Sequence, residues 1–152
     1  MIRHFLFFTL FLLVFSGCSG QRYSFIDPVS PAYDINKLEY TSVLSKADPV
    51  LKWKPNTSYQ NYSDITYDVE VLQKIDEKRM YVRAKKKNTA ESSFRIPFDL
   101  QVGQTYYWRV KIHYGRENGK RYSTSWSDLY THYSNPFASG WSSKMLRFFV
   151  TD

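Results

Sequence analysis

Period-2 patterning places this chain in the all-β class, as a seven-stranded antiparallel β-sandwich. Its clearest element runs from Tyr106 to Tyr114. There Tyr106, Trp108, Val110, Ile112 and Tyr114 share one parity, while Tyr107, Arg109, Lys111 and His113 share the other. Side chains alternate in this way on a strand with one face in a core and the other in water. The alternation recurs in Val50–Pro55, Ile65–Val71 and Ser93–Leu100. Ahead of Tyr106, Leu100-x-x-Gly103-x-x-Tyr106 has the spacing of a tyrosine corner, in which glycine permits a tight turn and the tyrosine hydroxyl bonds to upstream backbone.

The chain opens with Arg3 and an uncharged, proline-free apolar run from Phe5 to Phe15, followed by Ser16-Gly17-Cys18-Ser19. The run is shorter than the ~20 residues a bilayer span needs and suits the core of a secretory signal. Small residues before a lone cysteine at its end resemble the lipobox of bacterial lipoproteins, with Phe15 where that pattern prefers leucine. The resemblance implies cleavage before Cys18 and acylation of its thiol. Residues 1–17 are then a signal peptide, and residues 18–36 a lipidated cysteine with a tether that carries Pro28 and Pro31. Extended, that tether reaches about 60 Å. Tyr23, Phe25 and Ile26 also offer it groups that can dock onto the domain. Ser19 after the cysteine resembles lipoproteins sent to the outer membrane in bacteria with two membranes. With a single cysteine in the chain, no internal disulfide can form.

The domain is assigned to 37–152. A weak first strand spans Lys37–Leu44, and the second, Val50–Pro55, puts Leu51 and Trp53 on one face and Lys52 and Lys54 on the other. Asn56–Asp64 is a polar loop carrying Tyr59 and Tyr62, and the third strand sends Ile65, Tyr67, Val69 and Val71 inward. A charged turn at Lys74–Arg79 leads to a short edge strand, Met80–Lys85. The lysines that follow, Lys85 to Lys87, read as edge protection against strand addition, or else as an anion site. In the fifth strand Phe94, Ile96, Phe98 and Leu100 share a parity, and Pro97 places it near a sheet edge. After the central strand, Gly115–Lys120 is a turn. Asp128–Lys144 is a long aromatic connection before the last strand, Met145–Val150.

An apolar-x-Trp-x-Pro second strand, Tyr67-x-Val69-x-Val71, and Tyr107-Trp108-Arg109-Val110 followed by Ser123-x-Ser125-Trp126-Ser127 together resemble the fibronectin type III domain, an immunoglobulin-like sandwich. The resemblance covers roughly Ile35 to Asp152 and implies that Trp53 lies between the sheets. An outward arginine such as Arg109 can stack on Trp126, a contact worth about 0.5–2 kcal/mol. Trp141-Ser142 falls too far downstream to complete the Trp-Ser-x-Trp-Ser box of cytokine receptors.

Catalytic chemistry finds little to stand on. Apart from Cys18, the mature chain offers only His113 and His132 as soft metal ligands, so no zinc set forms and no cofactor is implied. No Gly-x-Ser-x-Gly element frames a nucleophile, and Asp76 and Glu77 sit in a charged turn. His113 is expected to be solvated. The chain is basic, at net charge +7, which favours anionic envelope surfaces and gives no nucleic-acid motif. Aromatic residues reach 18%, and Tyr59, Tyr62, Tyr122, Trp126, Tyr130, Tyr133 and Trp141 fall in expected loops. Such rings either build an adaptable binding surface or cover the ends of the sandwich.

The sequence therefore points to a non-enzymatic, exported lipoprotein, held on a bacterial membrane by its lipid. It would act as a binding or structural module of the envelope with a protein or glycan partner. A carbohydrate-binding accessory lipoprotein that stacks loop aromatics on sugars is the alternative. The candidate ligand residues are Tyr59, Tyr62, Tyr122 and Trp126, at the end of the sandwich where Asn56–Asp64 and Gly115–Tyr122 should meet. Coplanar exposed rings would favour glycan, and buried rings a structural role.

Overall fold

A computed structural model describes residues 21–23, 25–33, 41–127, 129–135 and 138–152. The expected signal peptide, Cys18 and the first half of the first expected strand lie outside the described residues, as do the side chains of Tyr130, His132, Tyr133 and Trp141. Among the described residues every regular element is a strand.

One face of the sandwich is a three-stranded sheet. Its order is β2 (Ile26–Ser30), β4 (Val50–Pro55), β7 (Ser93–Arg95). The other is built from β3 (Thr41–Ser45), β12 (Leu146–Thr151), β8 (Thr105–Gly115), β5 (Ser63–Lys74) and β6 (Met80–Thr89), in that order, with β9 (Arg121–Ser123) added along the end of β8. A third, small sheet joins β1 (Gln21–Tyr23), β10 (Leu129–Asn135) and β11 (Ala138–Lys144).

The core lies between the first two sheets and follows the expected parities. Leu51 and Trp53 from β4, Val69 and Val71 from β5, and Tyr106, Trp108, Val110 and Ile112 from β8 are all essentially inaccessible. Trp53 meets Tyr67 edge-on at 5.5 Å and Trp108 at 6.2 Å, so the two sheets are locked through indoles. Trp53 is thus a core residue. The tyrosine corner forms as expected: Gly103 sits at φ +81, and the buried Tyr106 hydroxyl accepts from the Gln101 N–H at 3.4 Å. The glycine is required because a Cβ at that φ is strained.

Several expectations change. The sandwich is not wholly antiparallel: β3 pairs parallel with β12, Val43 beside Phe149. It therefore joins the β8 sheet, and the outer strand of the opposite sheet is β2, from within residues 18–36. Ile26 is fully buried there, the docking alternative for that segment. Tyr33 fastens the same stretch by donating its hydroxyl to the Arg147 carbonyl at 2.6 Å and accepting the Trp108 Nε1–H at 2.8 Å. The fifth strand ends at Arg95, because Ile96 bonds the Pro49 carbonyl and Pro97 has no N–H. Ile96 and Leu100 still point into the core. The long connection after Asp128 forms the β10–β11 hairpin.

Edge strand β6 runs on to Thr89, so Lys85, Lys86 and Lys87 lie on the last strand of its sheet, where charge obstructs pairing with another chain.

Candidate functional site

The two loops expected to meet do so. Ser63 pairs with Gly115 across β5 and β8, and Tyr122 pairs with Tyr114 across β8 and β9. Because Tyr114 is on the inward parity of β8, this register turns Tyr122 to the same face. The rings then pack in series, Tyr62 on Tyr114 at 4.6 Å and 32°, Tyr114 on Tyr122 at 5.9 Å and 25°, and Tyr59 on Tyr114 at 5.3 Å and 70°. Phe25 closes on Tyr59 at 5.9 Å. Tyr59, Tyr62 and Tyr122 are half-buried against the core, with their planes at different tilts, and so cap the end of the sandwich without forming one flat platform. Burial, and then the neighbouring Tyr114 and Tyr62, raise the Tyr59 hydroxyl above its ordinary range.

Arg116 lies over this cluster, its guanidinium carbon 4.7 Å from the Tyr122 ring and 5.8 Å from both Tyr62 and Tyr114. The neighbouring Tyr114 hydroxyl, and then the field of Tyr62, raise its pKa further, so the charge is fixed at any working pH. The turn that presents it is closed by Gly119 at φ +73, with Asn118 accepting from the Lys120 N–H at 3.0 Å and donating to the Tyr122 hydroxyl at 3.2 Å. Between this turn and the 58–63 loop runs an open groove of ≈ 730 Å³, lined by Ser58, Asn61, Tyr62, Ser63, Arg116 and Glu117 among others. Gly115 forms its floor, where a Cβ would come within 3.2 Å of Ser63 Oγ.

Trp126 is not part of this group. Its ring takes Arg109 at 4.4 Å and Lys111 at 4.8 Å, both on the outward parity of β8, so it lies on the opposite face of that sheet from Tyr114. Arg109 is held there by Glu70, which accepts from Nε at 2.9 Å and Nη2 at 2.7 Å. The stacking expected of Arg109 is present, and it makes Trp126 a clasp on the sheet face. Of the four candidate ligand residues, three converge and the fourth does not. Sequence patterning does not single out Arg116, although its place two residues after Tyr114, in a turn bounded by Gly115 and Gly119, puts a cation beside an aromatic cluster.

His113 also differs from expectation. It is half-buried, with Nδ1 2.6 Å from Ser123 Oγ and Nε2 3.1 Å from Asp68 Oδ2, although the Asp68 contact lies off the line of a hydrogen bond. Serine, histidine and aspartate thus adjoin on the outer face of β5, β8 and β9, but Ser123 lines none of the grooves on this protein that border Tyr62, Phe98 or Phe94. Nucleophilic catalysis needs donors poised around a reacting carbonyl as well as an activated hydroxyl. Among the described residues no group of three His, Cys, Asp or Glu is placed to hold a metal ion.

Residues 32–131 match the family described as Rha78A-like, N-terminal immunoglobulin domain. The chain belongs to this immunoglobulin-like family. The match covers β3 to β9 and enters β10, whereas the immunoglobulin-like sandwich is completed by β2 before it and β12 after it. Comparisons with curated proteins and with solved structures gave no match.

Proposed function

We propose that this protein is an exported lipoprotein, anchored through Cys18, whose fibronectin type III-like domain serves as a non-catalytic binding module of a bacterial envelope. The carrying observation is the end of the sandwich: Tyr59, Tyr62, Tyr114 and Tyr122 make a rigid bed that holds Arg116 and the open groove beside it. The fold supports a scaffold role, because loops at one end of a rigid sandwich carry recognition in this architecture. The pairing of β6 with β5 supports the fibronectin type III assignment, since in constant-type immunoglobulin domains the fourth strand pairs on the other sheet. The leader supports anchoring, through its apolar run and Ser16-Gly17-Cys18.

Metabolic labelling with a fatty-acid analogue tests the anchor. The wild type should take up label and sediment with membranes, and Cys18→Ala should do neither. Equal labelling of both proteins would sink the proposal.

A further inference from the structure

We infer that the groove beside Arg116 binds a carboxylate-bearing saccharide, with Arg116 as the group that takes the carboxylate. This rests on the binding-module reading and adds the class of ligand; because the tyrosine rings are half-buried and not coplanar, recognition falls to Arg116 and the polar lining and not to ring stacking. At ≈ 730 Å³ the groove is within the range of small-molecule sites, about 300–1,000 Å³. Arg116 is exposed, and among the described residues no carboxylate lies within ion-pair distance of it. Three tyrosine rings lie within 5.8 Å of the guanidinium carbon, and a planar guanidinium placed there keeps a fork of N–H donors to offer a ligand. A fork of this kind matches a carboxylate in bidentate fashion.

The rest of the lining selects the body of the ligand. Ser58 and Ser63 supply hydroxyls, Asn61 supplies an amide, and Tyr62 supplies an aromatic edge. A polyol uses all of these donors and acceptors together with the one aromatic ring of the lining. Glu117, also in the lining, decides between anions. A doubly charged phosphate would meet it as a like charge beside a single cation. A sugar hydroxyl can instead donate to it while the singly charged carboxylate sits on Arg116. The net charge of +7 adds long-range attraction for acidic glycans.

The test is calorimetric titration of the full-length protein in detergent. Its probes are a uronate oligosaccharide, the same oligosaccharide with its carboxyls reduced to alcohols, and inorganic phosphate. The uronate should bind, and carboxyl reduction or Arg116→Gln should each weaken it at least about tenfold, as expected for loss of a charge-assisted bond. Arg116→Lys should recover part of the affinity, and replacing Lys85, Lys86 and Lys87 by Ala should leave it within about twofold at physiological salt. Thermal melting of Arg116→Gln should fall by no more than a few degrees, as expected for loss of an exposed cation–π contact, so the variant remains folded for the titration. No uronate binding, equal affinity for the reduced form, displacement by equimolar phosphate, or loss only in the lysine variant would each overturn the inference. Those failures leave the Cys18 labelling result untouched, and failure of labelling leaves the titration interpretable.

Discussion

Replacing Trp108 should produce the largest loss of stability available from one side chain. Its indole is fully buried, packs on Trp53 at 6.2 Å, and donates through Nε1 to the Tyr33 hydroxyl at 2.8 Å. Truncation to Ala removes the packing and leaves a cavity, at about 3–5 kcal/mol. A domain of ordinary stability has only about 5–15 kcal/mol in total, so Trp108→Ala should melt at least about 6 °C lower and sit near the threshold of folding. The gentler Trp108→Phe and Tyr33→Phe separate packing from hydrogen bonding. Tyr33→Phe alone removes the partner of the buried indole N–H and of the Arg147 carbonyl, a cost of about 1–3 kcal/mol. In a double-mutant cycle by urea denaturation the two changes should couple, by about 0.5–3 kcal/mol. Additivity within about 0.5 kcal/mol would refute the bond between β8 and the segment around Tyr33, and a Trp108→Ala protein melting within about two degrees of wild type would refute the core itself.

Gly103→Ala should cost about 1–2 kcal/mol by chemical denaturation, because φ is +81 and space around the added methyl is open, so backbone strain alone acts. Trp126→Ala should cost about 0.5–2 kcal/mol, and more at low salt than at high, if Arg109 and Lys111 do stack on the ring. Burial raises the Tyr67 hydroxyl above its ordinary 10.0, so the neutral phenol is favoured in the fold. Its contribution is complete below about pH 10 and is lost as pH rises through the higher folded value, so alkaline melts should show a declining midpoint that Tyr67→Phe flattens. The Asp76 carboxyl is held below its ordinary 3.8, first by the Arg79 side chain and then by the Lys78 N–H. That contribution is present above about pH 4 and lost as pH falls further, so amide protection in the 74–80 turn, taken relative to the intrinsic exchange rate at each pH, should drop in acid, and unchanged protection would count against the contact.

Elements with two distinct faces could be read from the chain, and those marked by one apolar residue could not. In β8 and β5 each second residue is large and apolar, which fixes both strand and face. In β2, Ile26 is the only fully buried apolar side chain, Pro28 interrupts the ladder, and the register shifts between Pro28 and Ser30, so the stretch reads as a linker. The β10–β11 hairpin reads as a loop because Tyr130-Thr131-His132-Tyr133 and Ser139-Gly140-Trp141-Ser142 mix polar and aromatic residues without a period. Parity is also silent on strand direction, which is why the parallel partnership of β3 and β12 was hidden. At the candidate site the meeting of the two loops followed from the topology. Separating Trp126 from the tyrosines required the actual register, since the step from Tyr122 to Trp126 carries the chain from one face of the sheet to the other.

The anchored-module account is tested most directly by the mass of the N-terminal peptide of the protein recovered from membranes. The account predicts a chain beginning at Cys18 and carrying a diacylglyceryl group on its thiol, with Cys18→Ala retaining residues 1–17. A mature N-terminus at any other residue, or an unmodified Cys18 in the membrane-bound protein, would contradict it.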